Sequence, residues 1–248
     1  MRIVYICADP GIPVFGTKGA SVHIQDVVRE LVRRGHDVEI HAVRMGDRVP
    51  ADLADVPTVE YPLDADGAGD RERAQAQASR AIAQRVAKSA PDLVWERYSL
   101  FSTALASLAK GSGVRGILEV NAPLIEEQRR HRRLDDEAGA CSALVEQAGA
   151  ARAIICVSDP VRAYTVPNGV DTNRITPVTE EAGRVVVTFV GTLKPWHGVE
   201  HLIGARVLAS SPWDLRIIGD GPQREALEEV ARAAGVDVDF RGAVAPHE

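Results

Sequence analysis

The chain has 248 residues, 29 Lys and Arg against 35 Asp and Glu, and a formal net charge of −6. Hydrophobic residues make up 45% and charged residues 26%, which excludes disordered and fibrous classes and allows one large or two small domains. The net acidity argues against a nucleic-acid partner, and no run reaches the roughly 18 apolar residues of a membrane span.

Residues 2–8 form a continuous apolar run, as a strand buried on both faces requires. The start could pass for a weak signal peptide, but Asp9-Pro10-Gly11 ends it as a loop ends a strand. A Gly- and Pro-rich loop over 9–19 follows. Then Ile24, Val27, Val28, Leu31 and Val32 recur at helical spacing, with Ser21 as the expected cap and Gly35 just past the end. A second strand at 37–43 completes a β-α-β unit, whose parallel crossover should be right-handed. A short strand at 58–61, a Gly/Asp loop at 64–70 and an Ala-rich helix at 71–89 come next, the helix striped by Ala74, Ala78, Ile82 and Val86. Strands are then expected at 92–95, 116–120 and 153–157, and helices at 101–110, 123–133 and 138–151. Strands alternating with helices specify a doubly wound α/β sheet.

Polar residues 173–183, with Pro177 among them, mark the expected linker between a domain over 1–172 and a second unit over 184–248. That unit reads β-α-β-α-β, with strands at 184–190, 214–218 and 237–240 and helices at 199–208 and 223–234. It amounts to half of a mononucleotide-binding fold. Roughly 65 residues is small for such a domain and leaves a sheet edge uncovered, so the domain is expected to continue past Glu248. Cys7, Cys141 and Cys156 are too few for a disulfide scaffold and read as buried thiols of a reducing, cytoplasmic compartment.

Ligands of open α/β sheets bind beyond the carboxyl ends of the strands. In the first domain those positions hold Gly16-Thr17-Lys18-Gly19-Ala20-Ser21, Glu96-Arg97-Tyr98-Ser99, Asn121-Ala122-Pro123 and Ser158-Asp159-Pro160. In the second they hold Gly191-Thr192-Leu193-Lys194-Pro195-Trp196-His197-Gly198, Gly219-Asp220-Gly221-Pro222 and Arg241-Gly242-Ala243. Glycines admit close backbone approach, and free amides at a helix start favour an anion, so a phosphate or diphosphate suits the Gly16–Ser21 turn. The same turn also serves as an ordinary strand-to-helix connection. It matches neither the dinucleotide fingerprint nor the P-loop, which counts against a dehydrogenase. Lys194 is suited to a charge-assisted bond with a phosphate oxygen. The run from Glu126 to Asp136 is basic at its centre but acid-flanked, the pattern of a solvated helix face with Glu126 and Arg130 paired one turn apart. Neither metal-ligand spacing nor a nucleophile elbow is present.

These segments, in this order, resemble family 4 of the retaining glycosyltransferases. The resemblance rests on Phe15 to Ser21, Ile155-Cys156-Val157-Ser158, Val166-Pro167-Asn168-Gly169-Val170-Asp171, Phe189 to Gly198 and Ile217 to Pro222. It implies a GT-B fold of two Rossmann-like domains facing a cleft. The N-terminal domain would take the acceptor, with Lys18, Glu96, Arg97 and Asn121 on that side. The C-terminal domain would take a nucleotide-diphosphate sugar. Gly16, Gly19, Ala20, Gly191, Thr192, Lys194 and His197 are the expected diphosphate contacts, and Gly219, Asp220, Gly221 and Gly242 the nucleotide contacts. Lys194 and Asn121 are the expected catalytic pair. Relatives carry an Arg and a Lys where Thr192 and His197 stand here, so Lys194 or His197 is expected to compensate, as in a subgroup reading K-P-W-H-G. Asn121 stands nearest to a histidine of relatives. The family's two donor-binding glutamates would lie beyond Glu248, and a stretch of relatives between Tyr164-Thr165 and Val166 is absent from this sequence, read as dropped residues rather than a true deletion.

The implied donor is UDP- or GDP-linked, with no cofactor and no metal. The acceptor is a small molecule, glycan or lipid, the last compatible with peripheral membrane contact but with no transmembrane segment. A GT-B phosphorylase, a nucleotide-sugar epimerase and a non-catalytic nucleotide-sugar-binding module stay open as alternatives.

Overall fold

The computed structural model describes residues 1–64, 67–157, 164–165, 183, 185–210 and 213–244. The expected loop at 158–160, the motif at 166–171 and nearly all of the expected linker at 173–183 lie outside them. The chain divides into two compact units, Met1–Val170 and Asp171–Glu248.

The first unit runs β1 (Arg2–Cys7), α1 (Gly19–Arg33), β2 (Asp37–Ala42), β3 (Thr58–Glu60), α2 (Ala68–Ser89), β4 (Leu93–Arg97) and α3 (Ala104–Ser112). It continues with β5 (Arg115–Val120), α4 (Leu124–His131), α5 (Glu137–Ala150), β6 (Ala153–Cys156) and β7 (Tyr164–Thr165). The sheet order is β3-β2-β1-β4-β5-β6-β7, with every neighbouring pair parallel. The chain reverses its direction of sheet growth between β1 and β4, so the crevice-forming switch point lies at their carboxyl ends.

Alternate residues of β1 serve opposite faces. Val4 and Ile6 pack with Ile82 and Val86 of α2 and Leu108 of α3. Tyr5 and Cys7 pack with Ile24 and Val28 of α1 and with Val38 and Ile40 of β2. Each such aliphatic side chain, fully buried, contributes about 1.5–3 kcal/mol. The spacing of Ile24 and Val28 is one helical turn, which is why α1 lies along this face. Gly35 takes φ +80° just past α1 and returns its amide to the Val32 carbonyl at 2.9 Å, the expected left-handed stop.

Several boundaries move for local reasons. The strand expected at 92–95 extends through Arg97, because its backbone stays in register with Cys7 of β1 and Glu119 of β5. Phe101 adopts φ +60°, which no helix accommodates, so the helix expected from 101 begins at Ala104. The loop expected at 64–70 ends earlier, with α2 beginning at Ala68. Ser21 lies inside α1 and does not cap it; Lys18 is the cap residue. Cys7 and Cys156 are buried as expected, whereas Cys141 on α5 is exposed. Glu126 pairs with both Arg129 and Arg130 at 2.5 Å, as a solvated helix face requires.

The second unit contains β8 (Val186–Val190), α6 (Glu200–Leu208), β9 (Asp214–Ile218), α7 (Arg224–Ala233) and β10 (Val238–Gly242). Among the described residues it is a parallel sheet of order β10-β9-β8. Its core gathers Leu193, Val199, Ile203, Leu215, Ile217 and Leu227. Gly242, expected in the loop after the last strand, is instead the end of β10, where the register shifts after Phe240.

Candidate functional site

At the carboxyl edge of the first sheet, the Pro13–Gly16 turn is tied down from two sides. Gln25 of α1 donates its amide to the carbonyls of Val14 (2.8 Å) and Gly16 (3.0 Å). The backbone of Phe15 donates to Met45 at 2.7 Å, beyond β2. A Cβ on Gly16 would stand 2.7 Å from Pro13 Cγ and 2.9 Å from Ser21 Oγ, so packing alone requires glycine there. Gly19 differs: nothing lies within 4 Å of where its Cβ would be. Gly19 and Ala20 open α1 with no side-chain cap and no acid in the first turn, and Lys18 is exposed. Uncapped first-turn amides form the positive end of a helix.

Beyond β4 and β5, the candidates separate by parity. Glu96 is fully buried. It accepts hydrogen bonds from Ser102 Oγ and, at 2.7 Å, from the Leu105 amide in the first turn of α3. Burial pushes its carboxyl above the ordinary range, against those bonds. The expectation of Glu96 on an acceptor-facing edge is therefore corrected: its carboxylate faces inward and holds α3.

Arg97 and Asn121 converge on a residue the sequence reading passed over. Glu119, 2% exposed, accepts from His23 Nε2 at 2.8 Å, Arg97 Nη1 at 3.0 Å and Asn121 Nδ2 on one oxygen. Its other oxygen accepts from Trp95 Nε1 at 2.7 Å and Tyr5 Oη at 3.4 Å. Burial raises the Glu119 pKa, but the bonds and charges of His23, Asn121 and Arg97 prevail and hold it at about 2. The same burial raises the Tyr5 hydroxyl well above its ordinary value, with the Glu119 charge adding to it. The available signal was a lone acid inside the apolar β5 run, in register with Arg97 on β4. A buried charge in a parallel strand demands a partner.

The second unit brings its candidates together at the ends of β8, β9 and β10. The Gly191 amide donates to the Ile218 carbonyl at 2.9 Å, Leu193 to Asp220 at 3.0 Å, Gly219 to Gly242 at 2.7 Å and Gln223 to Leu193 at 3.2 Å. These bonds weave the 191–198 loop against the 219–222 turn. A Cβ on Gly221 would stand 2.6 Å from the Leu193 carbonyl oxygen. Leu193 is fully buried as the anchor of the loop, while its neighbours Thr192 and Lys194 are half-buried. Lys194 Nζ lies 4.8 Å from the centre of the Trp196 ring, a cation–π placement. His197 is exposed and its Nδ1 stands 2.6 Å from the Thr192 carbonyl oxygen, closing the loop upon itself. Asp220 Oδ1 accepts from the Gly221 amide at 2.7 Å. The result is a pre-shaped edge of glycine backbone and one lysine.

Among the described residues, no group of three or more His, Cys, Asp or Glu side chains is placed to hold a metal ion. Nor is any described helix long and apolar enough to cross a membrane.

Solved structures share this fold. The lipopolysaccharide outer core galactosyltransferase WaaB in its apo form aligns at TM-score 0.65 and 18% identity, over 98% of this chain and 68% of that one. Anabaena HepE in complex with UDP and glucose aligns at TM-score 0.66 and 17% identity, over 99% and 70%. The sucrose-phosphate synthase of Thermosynechococcus elongatus aligns at TM-score 0.68 and 16% identity, over 99% and 71%. The shared architecture is GT-B, of which this chain spans about 70% of the length of those structures. No curated protein sequence matches the chain. The model of Glycosyltransferase Family 4 matches residues 17–178, and the chain belongs to that family.

Proposed function

We propose that this chain is a retaining glycosyltransferase that moves a sugar from a nucleotide-diphosphate sugar to an acceptor hydroxyl, in the cytoplasm and without a cofactor or metal. The observation that carries the reading is the woven edge of the second unit, where Gly191, Thr192, Lys194, Gly219 and Gly221 meet, in a chain of this family. Close backbone and one ammonium suit a diphosphate, whose oxygens accept from both. UDP is the first choice of base, supported by the UDP and glucose bound to the similar HepE, with GDP second.

In the reaction, the anomeric carbon–oxygen bond to the phosphate breaks and a new bond to the acceptor oxygen forms on the same face. The departing phosphate oxygen takes the acceptor proton, so no protein base is required. Lys194 acts where negative charge grows on that oxygen, favouring the transition state over the ground state. The uncapped amides of Gly19 and Ala20 are a second anion-binding element, suited to phosphate. Arg97 and Asn121 belong to the acceptor side, where a small molecule, glycan or lipid is the partner; a lipid acceptor would bring peripheral membrane contact. The K-P-W-H-G loop is assigned to the compensating subgroup, with Lys194 in place of the usual clamp.

The test is a thermal-shift screen of UDP-, GDP-, ADP- and TDP-sugars followed by NMR of the product. A ligand at 100 times its dissociation constant stabilises by roughly 2.7 kcal/mol. Stabilisation by one nucleotide class and a product with the donor's anomeric configuration are expected. Phosphate-dependent sugar release, isomerisation without acceptor, or an inverted product would overturn the assignment.

A further inference from the structure

The Glu119 cluster is more elaborate than charge neutralisation requires. Arg97, in register on the next strand, already pairs the carboxylate, and Trp95 and Tyr5 serve its second oxygen. Yet two further donors, from α1 and from the residue after β5, crowd the first oxygen: His23 and Asn121. Both are partly exposed, with the His23 side chain at 28%, whereas Glu119 beneath them is buried.

The consequence lies in the atoms left over. A carboxylate held ionised only accepts, so the His23 nitrogen facing it must carry a proton. In neutral His23 that leaves Nδ1 as a lone-pair acceptor, and no described residue bonds to it. The same logic applies to Asn121: its amide nitrogen is spent on Glu119, and its carbonyl oxygen bonds to no described residue. Two acceptors from different elements are thus held at one sheet edge by one buried anion. His23 also lies one helical turn below Gly19, on the same side of α1. Paired acceptors without a protein donor suit a ligand rich in hydroxyl groups.

We propose that Glu119 is a positioning residue and that His23 Nδ1, together with Asn121 Oδ1, receives hydroxyl groups of a sugar or other polyol acceptor. This deepens the transferase reading and rests on it. Glu119 is the residue that bonds His23, and it is held in turn by Arg97 and Trp95 from β4, Tyr5 from β1 and Asn121 after β5.

The experiment uses the whole chain with imidazole-labelled histidine. UDP and GDP are titrated first. Methyl α-glucoside, methyl α-mannoside, methyl α-galactoside and glycerol are then titrated by saturation-transfer NMR. In the wild type, His23 is expected to show the Nε2–H tautomer, and at least one polyol to shift its ring signals. In Glu119→Gln the tautomers should mix and the same polyol should bind about fivefold more weakly, the effect of one misplaced hydrogen bond, with nucleotide affinity within about twofold. His23→Ala, at a partly exposed site, repeats the comparison should Glu119→Gln fail to fold, and should abolish the polyol effect. A polyol that binds His23→Ala as tightly as wild type overturns the proposal, as does a wild-type His23 with the other tautomer. The absence of any polyol effect while UDP or GDP binds overturns it and leaves the transferase reading standing. Failure of every nucleotide to bind strikes that reading instead, and a polyol shift at His23 would still support the site.

Discussion

Gly219 and Gly191 meet backbone to backbone: a Cβ on Gly219 would collide with the Gly191 carbonyl oxygen, and would lie 2.8 Å from its carbonyl carbon. Gly219 also holds φ +134°, which L side chains rarely adopt. Gly219→Ala should therefore disorder both woven loops. We expect a loss of about 2 kcal/mol or more in the second unit, with nucleotide affinity reduced in step. Chemical denaturation followed by tryptophan fluorescence, beside isothermal titration with UDP, measures both. Undiminished stability would show that the loops do not need this contact.

Glu119 provides a pH test of the first unit. Its folded pKa is depressed to about 2 from an ordinary 4.5, so its contribution is fully present above the unfolded value and is lost as pH falls through the folded one. At about 1.4 kcal/mol per tenfold change in proton affinity, the stabilisation at neutral pH is about 3 kcal/mol. Glu119→Gln should be destabilised by about that amount at pH 7, and its deficit should shrink between pH 4.5 and 2. A deficit that does not change with pH would mean that packing, not charge, sets the cost.

Glu96 should behave in the opposite sense. Burial raises its pKa, so its ionisation opposes folding as pH rises above the ordinary carboxyl range. Glu96→Gln keeps a carbonyl for the Leu105 amide and offers its own amide to Ser102. The variant should match the wild type at and below the ordinary carboxyl range and gain on it as pH rises above that range, with transferase activity retained. Loss of activity with an intact fold would restore Glu96 to the acceptor side.

Lys194 carries the assignment of the donor edge. A charge-assisted bond to phosphate is worth about 1.5–3 kcal/mol, so Lys194→Ala should weaken UDP or GDP binding by roughly 10- to 100-fold. Calorimetry reads this directly, and unchanged affinity would remove Lys194 from the diphosphate. The cation–π contact with Trp196 means that the loop should be checked for order by its tryptophan signal.

Much of the architecture was legible in the amino-acid order. Apolar runs of strand length and stripes such as Ala78, Ile82 and Val86 specify strands and helices because their periods are local. The loops between β8 and α6 and between β9 and α7 were legible as glycine-bearing turns beyond strand ends for the same reason: glycine and turn residues declare themselves over a few positions. The resemblance carried by segments such as Phe15 to Ser21 and Phe189 to Gly198 implied the family and the GT-B fold.

Tertiary structure decided which way neighbouring residues face. Glu96 and Arg97 are adjacent on β4, so the strand's period of two sends one toward α3 and the other toward Glu119. Both faces of a parallel sheet are covered, so no polar-apolar alternation in the sequence distinguishes the two sides. The Glu119 cluster draws on β1, α1, β4 and β5, joining Tyr5 and Asn121 across most of the unit. Nothing local marks such a group, because a buried charge is tolerable only when distant donors arrive together, and only the folded sheet sets their register.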